Sequence, residues 1–381
     1  MSSKNILING LTLEEATIIP LLLNSRYWLI QGCSVAFLGN ADLKRKIEET
    51  RIIEHFEFLE IKNTRKISTR LNFILEGIVR NLTALFYVNK IKGKYDIVYS
   101  RSSVLDLIVF PCILKGADKR IKWLTVFDNI VPFSDPGNKF FRFLAWLFFQ
   151  FSLRLLKSAD KIFAISDDLR NFLIHKGIKE NKIVLTGNGV EVDIIKSSQK
   201  DARYNIDALF IGRINETKGI YDLLKVLIIV KEKYPSFQLA IMGTGDKKTG
   251  GNLKNKIKKL RLDENIQFLG YKTGLEKFNI IKSSKCFWFL SVSESESFGI
   301  ALLEAVCCGV PAFAYDLKPC KNIYKNNEVM ISPKYDFKSV AMKVIELFEK
   351  GEFNNKRGEL LLDKYSWDKI AEIELNSFNN L

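Results

Sequence analysis

The sequence predicts an α/β protein made of two doubly wound parallel-sheet domains that face each other across a cleft. Three observations carry this. The chain has 381 residues, and at roughly 100–200 residues per domain that suggests two. Short apolar runs alternate with longer amphipathic stretches along its whole length, the pattern of strands covered by helices on both faces. A glycine-rich turn and a polar stretch near the middle, Gly187-Asn188-Gly189 and Ser197-Ser198-Gln199-Lys200-Asp201, then separate two series of such runs.

In the first half the strand-like runs are 5–9, 34–38, 56–61, 96–99, 122–127, 161–165 and 182–185. In the second they are 208–211, 238–242, 266–269, 286–290 and 311–315. Helical patterns separate most of them. The expected division is residues 1–195, residues 196–365, and a closing helix, 366–381, returning to the first domain. In such open sheets ligands sit beyond the carboxyl ends of the strands, so a site between the domains is the default expectation.

Composition narrows the function. The hydrophobic fraction is 47%, enough for ordinary globular cores. The formal net charge is +15 and uneven: residues 1–190 hold 28 basic and 18 acidic residues, and the remainder 30 and 25. A basic first half suits phosphorylated substrates, anionic lipid or nucleic acid, or is simply a lysine-rich solvated surface. No helix-turn-helix, zinc or RNA-binding signature supports nucleic acid as a partner. The six cysteines, Cys33, Cys112, Cys286, Cys307, Cys308 and Cys320, sit mostly in apolar runs without a Cys-x-x-Cys pair and read as reduced, buried residues. With only His55 and His175, a histidine-rich metal site is not expected, and His175 reads as a helix-end residue. The start lacks a secretory pattern, and the most apolar stretch, 140–156, is interrupted by Arg142 and Arg154, so no membrane span is expected.

Two segments of the second half carry chemistry. In the first, an apolar strand ends at Gly212, Arg213 follows, and Lys218-Gly219 open an amphipathic helix with Leu223, Leu224, Leu227 and Ile228 on its buried face. Two cations across a strand-to-helix turn suit a diphosphate, Arg as a planar fork and Lys as a point charge, with helix amides adding to the attraction. In the second, Ser295-Glu296-Ser297-Phe298-Gly299-Ile300 leads from a very apolar strand into a helix that ends at Gly309, before Pro311. Glu304 follows Glu296 by close to two helical turns and faces the same side. Carboxylates accept from sugar and ribose hydroxyls, and free amides near Phe298 to Ile300 suit phosphate. Glu304 lies in an apolar helix, where a carboxylate is unfavourable unless paired. A surface loop and a salt-bridged helix acid are the plain alternatives.

These segments resemble the retaining glycosyltransferases of family four, which have the GT-B fold of two Rossmann-like domains. The family's paired glutamates with Phe-Gly after the first correspond to Glu296, Phe298, Gly299 and Glu304, followed by Gly309-Val310-Pro311. Gly212-Arg213 with Lys218-Gly219 resembles its phosphate-binding turn, Gly243-Thr244-Gly245 its next glycine turn, and Phe268-Leu269-Gly270-Tyr271 the segment beside the base. Asn188-Gly189-Val190 and Tyr365-Ser366-Trp367 are also similar. The resemblance implies an N-terminal acceptor domain and a C-terminal donor domain. In it Arg213 and Lys218 neutralise the donor diphosphate without a metal or other cofactor. Glu304 holds the ribose, and Glu296 holds the transferred sugar, with backbone help from Phe298, Gly299 and Ile300. Gly10, Gly212, Gly243 and Tyr271 complete the donor set. The implied reaction moves a hexose or N-acetylhexosamine from a UDP-sugar, or next a GDP-sugar, to a saccharide or polyprenyl-linked acceptor. Its setting is cell-surface polysaccharide synthesis, such as lipopolysaccharide, in the cytoplasm or at its membrane face. The oligomeric state stays open.

The first half departs from the family. Where members carry His-Asp after a strand, this chain has Phe127-Asp128, and its N-terminal glycine loop has Gly10 alone. Asp128 remains a candidate for orienting the acceptor. Two stretches raise a membrane question: 138–151, rich in phenylalanine and apolar nearly all round, and 66–94, where Arg70, Arg80, Lys90, Lys92 and Lys94 surround Phe73, Ile74, Ile78, Leu82, Leu85 and Phe86. The first reads either as a core helix or as an interfacial helix on an anionic membrane. Rival classes are a nucleotide-sugar epimerase of the same fold, a non-catalytic nucleotide-sugar-binding relative, and a nucleic-acid-binding protein.

Overall fold

A computed structural model describes residues 3–11, 15–61, 70–133 and 139–380. Residues 66–69 and Asn138, within the two membrane-question stretches, lie outside them. The described residues form two parallel sheets. The first contains β1 (Asn5–Asn9), β2 (Ser34–Gly39), β3 (Glu57–Glu60), β4 (Ile97–Ser100), β5 (Lys122–Phe127), β6 (Lys161–Ala164) and β7 (Ile183–Leu185), in the order β3-β2-β1-β4-β5-β6-β7. The second contains β8 (Ile206–Ile211), β9 (Leu239–Met242), β10 (Ile266–Gly270), β11 (Ser284–Phe289), β12 (Ala312–Tyr315) and β13 (Met330–Ser332), in the order β10-β9-β8-β11-β12-β13. Both are doubly wound, as expected. Strand order reverses at β1/β4 in one and at β8/β11 in the other. The short strand β13 was not anticipated.

The chain divides into two compact units: residues 1–189 with 367–381, and residues 190–366. The division falls ahead of the 195/196 boundary read from the polar stretch. Central strands are buried throughout, as β4 and β9 show, because parallel strands need cover on both faces. In the second unit, helix Ile220–Lys233 buries Leu223, Leu224, Leu227 and Val230 against helix Phe337–Lys350, around Val340, Ala341 and Val344. In the first unit, helix Trp367–Asn379 packs on helix Glu15–Ile30. Trp28 there meets Tyr99 and Phe378 edge-on, at 5.1 and 5.2 Å between ring centres.

Helix Lys139–Leu156 is neither a full core helix nor a surface one. It buries Phe149, Ser152, Leu153 and Leu156 and exposes Phe140, Phe143, Leu147 and Phe151. All six cysteines are free thiols. His175 ends helix Asp167–His175 with its Nδ1 at 2.7 Å from the Asn171 carbonyl. No helix among the described residues is long and apolar enough to cross a membrane.

Candidate functional site

Both predicted segments of the second unit lie at the carboxyl ends of β8 and β11, neighbours at the switch point of their sheet. This is where an open α/β sheet places its ligand crevice. After β8, Asn215 starts a short 3₁₀ turn, Glu216–Lys218, its side chain accepting from the Lys218 amide at 3.0 Å. Gly219 then takes φ 73°, and a Cβ there would lie 1.9 Å from the Leu290 carbonyl oxygen. Only glycine lets the turn close this tightly on β11. The Val292 amide bonds the Thr217 carbonyl at 2.9 Å and clamps the two loops together.

That clamp brings Lys218 to Glu296. Lys218 Nζ lies 2.5 Å from Glu296 Oε2, and the hydroxyl of buried Ser291 donates to the same oxygen at 3.1 Å. Gly299, at φ 79°, turns the chain into helix Ile300–Cys307. The amides of Phe298, Gly299 and Ile300 have no acceptor among the described residues. They form a donor-rich helix start one turn from Glu296. Phe298 is buried edge-on against Tyr365, while Ile300 is exposed.

Glu304 is buried on that helix, and Lys277 of helix Gly274–Ser283 pairs with it at 2.6 Å. Burial opposes a charge on Lys277, but Glu304 and then Glu191 outweigh it and hold the ammonium pKa above its ordinary value. Burial, with Glu304 adding to it, raises the carboxyl pKa of half-buried Glu191, and Lys277 counters the shift. The sequence motif marks Glu304 but not Lys277, Glu191, Ser291 or Asn215. Asn215 alone left a local signal, as a cap-type residue three before Lys218.

The other named residues are placed less centrally. Arg213 follows Gly212 at the end of β8 and is exposed, with no ion pair to any described residue. The Gly212 and Gly243 amides are already bonded, to the Met242 carbonyl at 3.0 Å and the Gly270 carbonyl at 2.7 Å. These glycines therefore act through close approach: a Cβ on Gly243, at φ 140°, would lie 2.0 Å from the Gly212 oxygen. Tyr271 is 62% exposed on the loop after β10, the edge strand.

Gly10 and Asp128 belong to the first unit. The Gly10 amide donates to the Leu38 carbonyl at 2.9 Å. Asp128 follows β5 and accepts from the Ser102 hydroxyl at 2.9 Å. Phe127 is fully buried, stacked on Phe172 and Phe149 at 5.9 and 6.3 Å. The phenylalanine is thus a core residue of its unit. Among the described residues no group of three His, Cys, Asp or Glu side chains is placed to hold a metal ion.

Residues 25–194 match the family described as Glycosyltransferase Family 4, and residues 192–360 match Glycosyl transferases group 1. The chain belongs to the family 4 glycosyltransferases. This glycosyltransferase is 30% identical over 197 residues to the phosphatidyl-myo-inositol mannosyltransferase of Mycobacterium leprae, covering 48% of this chain and 50% of that one. It is 30% identical over 184 residues to the poly(ribitol-phosphate) alpha-N-acetylglucosaminyltransferase of Staphylococcus aureus, covering 45% of this chain and 34% of that one. The chain thus matches half or less of the length of these relatives. Its fold is GT-B, shared across 99% of this chain with Anabaena HepE in complex with UDP and glucose, which is covered in full (TM-score 0.76, 15% identity).

Proposed function

We propose that this chain is a retaining, metal-independent glycosyltransferase that moves a hexose or N-acetylhexosamine from a nucleotide-diphosphate sugar to a saccharide or lipid-linked saccharide. The observation that carries the reading is the pair of carboxylate–ammonium contacts, Glu296–Lys218 and Glu304–Lys277, on either side of the open amides at Phe298 to Ile300. Lys218 and Arg213 take the diphosphate, and the helix start adds dipolar attraction. Glu304 receives the ribose hydroxyls and Glu296 those of the transferred sugar. As the acceptor hydroxyl bonds to the anomeric carbon, the sugar–phosphate bond breaks and the departing phosphate takes the hydroxyl proton. Charge neutralisation and positioning supply the rate, and Asp128 orients the acceptor. The UDP held by HepE favours a uridine donor, with a GDP-sugar second. The lipid and polyol-phosphate acceptors named for the relatives favour a cell-surface polymer or lipid-linked acceptor, handled at the cytoplasmic side.

The test is a panel of nucleotide sugars scored by thermal shift and by transfer to lipid-linked acceptors. One donor class should raise the melting temperature of the wild type. Arg213→Ala should weaken its binding about tenfold or more, Glu296→Gln should lower turnover on the order of 10²-fold, and Asp128→Ala should lower turnover without changing donor affinity. No shift with any donor, or variants that bind and turn over like the wild type, would sink the assignment.

A further inference from the structure

We propose that the outer face of three neighbouring helices in the first unit seats on the surface of an anionic lipid bilayer. They are Arg70–Leu85, Leu105–Ala117 and Lys139–Leu156; the first and third both pack on the second. The inference is independent of the donor site.

Over residues 75–85, helix Arg70–Leu85 has its polarity reversed. Its Arg80 is buried, bonding Asp106 at 2.9 Å, with Glu76 at 3.9 Å. Its Asn81 is buried too and donates to the Asp106 carboxylate at 2.6 Å. Outward, the same helix turns Leu75, Ile78, Val79 and Leu82, each more than half exposed, followed by Phe86 at 81%. A water-facing helix does the opposite, with charges out and leucines in. An inward ion pair is also weak support for folding, because both charges must be desolvated. The arrangement fits a helix whose outer side meets an apolar medium.

The neighbouring helices extend this face. Phe140, Phe143, Leu147 and Phe151 form one exposed stripe on Lys139–Leu156, with Phe133 set edge-on to Trp146 at 6.1 Å. Ile113 on the helix between and Val104, just before its start, are exposed. A soluble monomer rarely shows so many large apolar side chains together.

Charge selects the occupant. The three helices contain two carboxylates, Glu76 and Asp106, and both turn inward to Arg80. The exposed charges on and just after the first and third helices are mostly cations: Lys139 and Arg154 on the third helix, Lys157 just after it, and Lys90, Lys92 and Lys94 beyond the first, with Glu60 and Asp96 the exposed acids beside that last group. An apolar centre with a cationic rim matches acyl chains flanked by phosphates. A two-fold contact with a second copy would instead bring like-charged rims together.

The full-length protein is to be sedimented with phosphatidylcholine vesicles and with vesicles also containing phosphatidylglycerol, over a salt series. It should pellet with the anionic vesicles at low salt and be released as salt rises. Leu82→Glu combined with Phe143→Glu should lower the bound fraction about tenfold or more, at an unchanged melting temperature and with nucleotide-sugar binding unchanged. Three results overturn the proposal: no pelleting of the wild type, pelleting indifferent to the double variant, or a wild-type dimer in light scattering that the double variant converts to monomer.

Discussion

Lys277 is the residue on which the candidate site's electrostatics turn. It is the cation shared by two carboxylates, Glu304 and Glu191, in a partly buried setting. Removing it leaves two like charges close together and poorly solvated. The protein must then protonate one or swing it away. Lys277→Met should therefore cost about 1–3 kcal/mol of stability and weaken nucleotide-sugar binding roughly tenfold, since an uncompensated carboxylate would face an incoming diphosphate. Thermal melts and titration calorimetry read both effects, and a variant matching the wild type in both would refute the role. The residue was invisible beforehand for a physical reason. Helical periodicity orders residues within one helix, whereas Lys277 and Glu304 belong to different helices joined only by folding. Glu296 and Glu304 were legible because they share one segment with a glycine and an apolar run.

At the scale of elements, helix Trp367–Asn379 is held by a buried acid. Glu374 accepts from Tyr99 Oη and Asn24 Nδ2, each at 3.0 Å, and Trp28 donates to the Ala371 carbonyl at 3.2 Å. Burial raises the Glu374 pKa from 4.5 to about 7, against the pull of Arg101 and the two hydrogen bonds. A raised acid pKa means the folded state binds this proton more tightly than the unfolded chain. Its stabilisation is complete below about pH 4.5 and is lost as pH rises through about 7, on the order of 3 kcal/mol in all. Glu374→Gln should flatten that dependence and melt higher than the wild type at pH 8. The orphaned Asn24 Oδ1 can accept from the new amide after a side-chain flip. A pH–stability profile identical in the two proteins would refute it.

Other elements show how far periodicity reaches. Twelve strands announced themselves as apolar runs; the central ones are buried on both faces, and the edge strands β3, β7 and β10 are only partly covered. β13 did not, being three residues long with Met330 and Ile331 only half-buried. Periodicity also says which residues share a helix face but not which face turns inward. The charges of Arg70–Leu85 were therefore legible and its reversal was not.

At the scale of the molecule, the chain leaves its first unit at Gly189 and re-enters at Trp367. At that re-entry the Val190 amide bonds the Tyr365 carbonyl at 2.7 Å. Each unit has its own sheet, so perturbations should sort by unit. Gly219→Ala forces a left-handed backbone on alanine and sets its Cβ 1.9 Å from the Leu290 carbonyl oxygen. That should cost about 2 kcal/mol or more and lower the transition of residues 190–366 by roughly 5 °C or more. A bound donor sugar should raise that same transition by mass action. Titrating Glu374 should move the other, because Glu374, Asn24 and Tyr99 all lie in the first unit. Scanning calorimetry of wild type and Gly219→Ala, with and without nucleotide sugar at pH 6 and 8, separates these cases. Two transitions, one answering to glycine and donor and the other to pH, are the expected result. One shared transition moved by all three would mean the units unfold as a single body, with Glu374 and Gly219 acting on the same cooperative core.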